Sequence, residues 1–199
     1  MAGSLEWIWS HQAYLPFKLS ADSMILHILG AQGSGKSVLA KHIYKRFSAE
    51  LGNSAAEEAG VLLYYYCNKH NEDTASSVLR GIIHQLAQKS KIKKDLLTEG
   101  TKMKTIFSRR APTWSLEALW SIFRTLLLGS QVPIAYCVID GVDQCDKDSV
   151  TELISLFLEL ANQWKSEVKV KLLLTSRVQI NLKDSSDRKS TRLNSSHSS

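Results

Sequence analysis

One octapeptide constrains this chain more than anything else in it: Gly30-Ala31-Gln32-Gly33-Ser34-Gly35-Lys36-Ser37. It fits G-x-x-x-x-G-K-[ST], a pattern that average residue usage would produce at well under ~1 in 10⁴ positions. An apolar strand, Met24 to Leu29, precedes it, and a helix carrying Val38, Leu39, Ile43 and Phe47 follows. Strand, loop and helix in that order are what a phosphate cradle requires. The glycines let the backbone curl so that successive N–H groups face phosphate oxygens, and the helix adds the positive end of its dipole. Lys36 is placed to reach the β- and γ-phosphates, and the Ser37 hydroxyl to ligate Mg²⁺. The expected nucleotide contacts are therefore Gly30, Gln32, Gly33, Ser34, Gly35, Lys36, Ser37 and Val38, with ATP or GTP as the ligand.

Three further apolar runs read as buried strands: Val61 to Cys67, Ile134 to Ile139 and Val168 to Leu174. Helical stripes separate them. Leu79, Ile82, Ile83 and Leu86 form one, and Leu116, Leu119, Trp120, Phe123, Leu126 and Leu127 a second. A third runs from Val150 through Leu153, Ile154, Phe157, Leu158 and Ala161 to Trp164, with Ser149 and Glu152 as a capping box at its start. Alternation of this kind predicts a three-layer α/β P-loop fold, a mostly parallel sheet with helices on both faces and right-handed crossovers. Lys89 to Met103 reads as a lysine-rich surface insertion or helix pair.

Two strand ends carry chemistry. Tyr136-Cys137-Val138-Ile139-Asp140-Gly141-Val142-Asp143-Gln144-Cys145 puts an acid at the carboxyl end of a buried strand, where parallel sheets bind ligands. Asp140 is the candidate to hold Mg²⁺ through water. Asp143 is the candidate to orient or deprotonate an attacking water. Leu172-Leu173-Leu174-Thr175-Ser176-Arg177 brings a guanidinium to the same edge, where Arg177 could sense a γ-phosphate.

Composition bounds the rest. With 199 residues and 44% hydrophobic content, the chain can bury a core without disulfides or a structural metal. Cys67, Cys137 and Cys145 are odd in number and lack CxxC spacing, which fits a reducing compartment better than a secreted framework or a zinc site. No apolar run approaches 18 residues and no signal peptide is legible, so a cytoplasmic protein is expected. From Ser185 the sequence turns polar and aperiodic and is expected to be loose. Asp187 to His197 resembles the in-frame translation of a sequencing-library adapter; a serine-rich disordered tail is the alternative. Residues 187–199 carry three basic residues and one acidic one, so without them the net charge of +6 falls to +4.

Taken together, GAQGSGKS, VLLYYYC with SSVLRGIIHQL, YCVIDGVDQC and KLLLTSR resemble a NACHT-type nucleotide-binding domain of the STAND class, in its fungal-type branch. The resemblance runs from about Leu5 to Leu182. It implies residues 1–20 as a lead-in, 21–184 as the nucleotide-binding domain without its usual helical and winged-helix companions, and 185–199 as tail. It further implies an ATP- or GTP-driven signalling switch that self-associates in its full-length parent. Lys36 and Ser37 then serve phosphates and Mg²⁺, Asp140 is the second-motif acid, Asp143 the downstream acid and Arg177 the sensor. Gln144 departs from the glutamate usual in that branch and cannot act as a base, which weakens the expectation of efficient hydrolysis. A non-hydrolysing nucleotide-binding scaffold and a nucleic-acid-stimulated ATPase are the alternatives; nucleic acid is not the expected partner, because the remaining positive charge has a use at phosphates.

Other residues read as structural: His27 and His84, Trp114, Trp120 and Trp164, and Tyr64, Tyr65 and Tyr66 as strand residues. Lys89, Lys91, Lys93 and Lys94 read as a solvated face.

Overall fold

A computed structural model describes residues 5–52, 59–71, 73–89, 114–163, 168–178 and 190–194. A 3₁₀ turn at Glu6–Ser10 leads into helix α1 (Tyr14–Leu19), strand β1 (Met24–Leu29), α2 (Lys36–Gly52), β2 (Val61–Tyr66) and α3 (Ala75–Lys89). Next come α4 (Leu116–Gly129), β3 (Ile134–Asp140), α5 (Lys147–Gln163), β4 (Lys169–Ser176) and β5 (Ser190–Asn194).

The strands lie in the order β2-β3-β4-β1-β5, and every neighbouring pair is parallel. A parallel sheet is covered on both faces, which is why its strands read as near-continuous apolar runs. The pleat divides them. Leu63 and Tyr65, Cys137 and Ile139, and Leu172 and Leu174 face one layer, with Leu79 and Ile83 of α3, Phe123 of α4 and Phe157 of α5. Leu62 and Tyr64, Tyr136 and Val138, Leu173, Leu26 and Ile28 face the other, with Leu39, Ile43 and Phe47 of α2, Phe17 of α1 and Ile8. Helices thus cover both faces of the sheet, giving the three-layer α/β architecture. Phe123 and Phe157 pack edge to face, 5.9 Å between ring centroids, and each such buried ring contributes about 1.5–3 kcal/mol.

The free edge of β2 is blunted by a side chain. Gln85 of α3 accepts from the Tyr64 backbone N–H (3.0 Å) and donates to the Tyr64 carbonyl (2.7 Å), standing in for a neighbouring strand. On the opposite face, the buried Lys171 of β4 donates to the Ser20 and Asp22 carbonyls, both at 2.7 Å, and so ties the segment between α1 and β1 to the sheet.

Three expectations are corrected. β4 runs through Thr175 and Ser176, because these residues pair with Ile28 and Leu29 of β1. α5 starts at Lys147, and its cap is Asp146, whose carboxylate accepts from the Ser149 N–H at 2.9 Å. Ser149 does not head a capping box: its hydroxyl donates to the Asp146 carbonyl and accepts from the Ala75 N–H, a tie to α3 that the local sequence does not contain. Finally, Ser190–Asn194 is not loose. It pairs with β1 from Ile25↔Ser190 to Leu29↔Asn194, and Leu193 is buried in the α1–α2 layer. Without it β1 would be an open edge with unpaired backbone groups, and one apolar residue in phase with the pleat is enough to seat a short strand there. The rest of the 185–199 tail, Leu182, Trp164, and Lys91, Lys93 and Lys94 of the lysine-rich stretch lie outside the described residues.

Candidate phosphate-binding cleft

The loop between β1 and α2 has the backbone its glycines permit. Gly33 and Gly35 adopt φ of +79° and +82°, the left-handed region that a side chain disfavours. The Ser34 N–H donates to the Ala31 carbonyl (3.2 Å), and the Leu39 N–H to the Gly35 carbonyl (2.9 Å), which starts α2 directly on the loop. The loop is anchored to the sheet by the Gly30 N–H, which donates to the Ser176 carbonyl at the end of β4. Lys36 curls back over it. Its Nζ donates to the carbonyls of Gly30 (2.6 Å) and Ala31 (2.7 Å), and burial, reinforced by Arg177 and opposed by Asp143 and Asp140, holds its pKa below the ordinary lysine value.

Asp140 ends β3 and is fully buried, yet its carboxylate is well supplied with donors. Oδ1 accepts from Ser37 Oγ at 3.1 Å and from Thr175 Oγ1 at 2.5 Å, and Oδ2 accepts from Tyr64 Oη at 3.2 Å. Thr175 also accepts from the Gly141 N–H at 2.8 Å, so its own proton goes to Asp140. Buried charge is tolerated when hydrogen bonds of this kind replace water. The α2 N-terminus, β2, β3 and β4 therefore meet at a single carboxylate.

Gly141 turns the chain out of β3 with φ +75°, into a single 3₁₀ turn at Val142–Gln144. A side chain at Gly141 would meet the Gln144 amide at 2.7 Å, so the glycine lets Gln144 fold beneath it. Asp143 is bound at both oxygens by one residue. Oδ1 accepts from the Arg177 backbone N–H at 3.0 Å and Oδ2 from Arg177 Nε at 2.6 Å.

These residues enclose a cleft of about 450 Å³. Gln32, Gly33, Gly35, Lys36, Ser37 and Val38 line it on the loop side, and Asp140, Asp143 and Arg177 on the other. Gly30 and Ser34 belong to the loop without lining the cleft; the Gly30 carbonyl instead receives Lys36. The other expected site residues converge on the cleft. Sequence reasoning missed Thr175, Tyr64 and Tyr66. Tyr66 is half-exposed at the cleft wall, with Gln144 and Thr175 also lining it. A usable signal was the strand-end position of Thr175, since polar residues there face the ligand edge of a parallel sheet.

The donor set fits a hard divalent cation. Ser37 Oγ and an Asp140 oxygen lie 3.1 Å apart at the cleft, and a hydroxyl plus a carboxylate, completed by phosphate and water, is how Mg²⁺ is held in phosphate sites. Elsewhere among the described residues no group of three or more His, Cys, Asp or Glu could hold a metal. His27 contacts Ser176 Oγ at 2.7 Å within the sheet, and Trp120 packs on Phe123 and Phe157. The three cysteines are buried free thiols.

The fold is similar to that of solved proteins. The structure resembles that of the Aeropyrum pernix ORC1 protein in complex with DNA, with TM-score 0.53 and 12% identity over 84% of this chain and 36% of that one. It also resembles Cdc6p from Pyrobaculum aerophilum, with TM-score 0.52 and 15% identity over 84% of this chain and 38% of that one. The chain thus spans little more than a third of either protein, and the likeness is one of fold, that of a P-loop NTPase domain. Because the first of these was solved bound to DNA, the expectation that nucleic acid is not a partner draws no support from it. No curated protein sequence matches the chain. The family model described as Nephrocystin 3, N-terminal matches residues 3–177, a span that takes in the phosphate loop, Asp140 and Arg177 alike, and the chain belongs to that family.

Proposed function

We propose that this chain is the nucleotide-binding part of a STAND-type, NACHT-like signalling switch, which binds ATP or GTP with Mg²⁺ and, within its parent protein, couples nucleotide exchange to self-association. The observation that carries it is the convergence of Lys36, Ser37, Asp140 and Arg177 on one cleft at the carboxyl edge of the sheet. Lys36 exchanges the Gly30 and Ala31 carbonyls for phosphate oxygens, so its ammonium is held in place before a ligand arrives. Ser37 and Asp140 would hold Mg²⁺, which when bound neutralises phosphate charge and fixes its orientation. Thr175 holds Asp140 in the sheet, and Arg177 is a second cation, one that a terminal phosphate would draw from Asp143. Buried free thiols at Cys67, Cys137 and Cys145 suit a reducing compartment such as the cytoplasm.

Labelled-nucleotide binding to wild type and Lys36→Ala tests the assignment. A loss of at least tenfold in the variant supports it, and equal binding by both overturns it.

A binding scaffold without turnover is the second reading, favoured by Asp143, both of whose oxygens are engaged by Arg177, and by Gln144, an amide that cannot take a proton from water. Single-turnover assays separate the two. The scaffold reading expects no γ-phosphate release from wild type and a gain in Gln144→Glu, whereas the switch reading expects slow release from wild type. Titration with DNA and RNA across a salt series tests the nucleic-acid-stimulated alternative, which requires binding that weakens steeply with salt.

A further inference from the structure

Three tyrosines in a row end β2, and one of them reaches the second oxygen of Asp140. Tyr64 pairs in register with Val138, two residues before Asp140, and its side chain spans that offset to put Oη 3.2 Å from Oδ2. The tyrosine is fixed from several sides. Its backbone N–H and carbonyl are both held by Gln85 of α3, and its ring packs edge-on against Tyr44 of α2, with centroids 5.4 Å apart. Its hydroxyl is thereby held in place before any ligand binds. The opposite oxygen, Oδ1, receives Ser37 and Thr175. A carboxylate rotates readily about its last bond. Donors to both oxygens from separate strands fix that rotation, and with it which oxygen faces Ser37.

We propose that Tyr64 is a positioning residue for the Mg²⁺ site: its hydroxyl holds Asp140 Oδ2 so that Oδ1 stays turned toward Ser37. The proposal rests on the nucleotide-binding reading above. Tyr64 is not among the residues that line the cleft; it acts through Asp140, as hydrogen-bonded partners of metal-site carboxylates do. Tyr65 supplies an internal control, because it points to the other face and donates to Asp73 Oδ1 at 3.0 Å.

The experiment measures binding of a fluorescent ATP analogue to the full chain across a Mg²⁺ titration and in EDTA, for wild type, Tyr64→Phe and Tyr65→Phe. Each variant keeps the ring and removes one hydroxyl. Tyr64→Phe should require about tenfold more Mg²⁺ for half-maximal binding. Its affinity in EDTA should stay within about twofold of wild type, and Tyr65→Phe should show the wild-type Mg²⁺ requirement. An unchanged Mg²⁺ requirement in Tyr64→Phe overturns the proposal while leaving the nucleotide site intact. So does an equal loss of affinity with and without Mg²⁺, which is what a general packing role would give. A wild-type chain that binds no nucleotide, or binds it without regard to Mg²⁺, overturns the underlying reading and the proposal with it.

Discussion

Arg177 grips Asp143 with two donors, its backbone N–H on one carboxylate oxygen at 3.0 Å and its Nε on the other at 2.6 Å. The two residues expected to read the terminal phosphate and to handle water are therefore paired with each other on one side of the cleft. While the pair holds, each oxygen of Asp143 already accepts one hydrogen bond and the charge of Arg177 is answered by a carboxylate. A terminal phosphate would compete with Asp143 for the guanidinium.

Weakening the pair should therefore favour the longer nucleotide. Asp143→Asn keeps the shape but removes the charge, and should tighten triphosphate over diphosphate binding by about tenfold or more, the size of one hydrogen bond to a charged group. Competition titrations with both nucleotides measure the ratio. A parallel change for the two would mean that Arg177 does not reach the terminal phosphate.

Thr175 should be worth more to stability than a surface hydroxyl. It is buried, accepts from the Gly141 N–H and donates to Asp140, so Thr175→Val leaves a buried donor and a buried carboxylate oxygen each short of a partner. A loss of about 2–3 kcal/mol in urea unfolding is expected. A loss below about 0.5 kcal/mol would show that this network contributes little to the fold.

Lys171 predicts an alkaline signature. Burial, offset in part by Asp22, lowers its pKa from 10.5 to about 8. Below pH 8 both folded and unfolded chains carry the proton, and the cost of burying the charge is fully present. Between pH 8 and 10.5 the unfolded chain binds more protons than the folded one, so stability rises with pH across that window by up to about 3 kcal/mol. Lys171→Met should lack this rise. Urea midpoints of the two proteins at pH 7.5 and 10 check it, and parallel curves would refute it.

The short strand β5 gives a direct test of whether its residues are packed. Leu193 is buried beside β1, so Leu193→Ala should cost about 2 kcal/mol. Equal stabilities would return Ser190–Asn194 to the loose tail that its composition suggests.

Much of this molecule was legible in one dimension. Mainly apolar runs starting at Met24, Val61, Ile134 and Val168 read as strands because a parallel sheet is covered on both faces, and the helical stripes between them set the layers. The phosphate loop was equally plain, since its glycines answer to local backbone geometry, as φ at Gly33 and Gly35 shows. The cap of α5 was misread because Ser149 has a partner far away in sequence, the Ala75 N–H.

What only the tertiary structure decided is which side chains meet. Tyr64, Tyr65 and Tyr66 are chemically identical neighbours, yet one holds Asp140, the next holds Asp73 and the third lines the cleft. The pleat sends alternate residues to opposite faces, and the neighbouring strand then settles what each one finds. The pairing of Asp143 with Arg177 likewise exists because β3 and β4 are adjacent and in register, a fact of strand order. β5 is the extreme case: its sequence has too little apolar content to declare a strand, and the otherwise open edge of β1 supplies the hydrogen bonds that make it one. The chain by itself determined strands β1 to β4, the long helices and the loop that cradles phosphate, because those depend on neighbours in sequence. The carboxylate network, the Arg177–Asp143 pair and the fifth strand depend on neighbours in space.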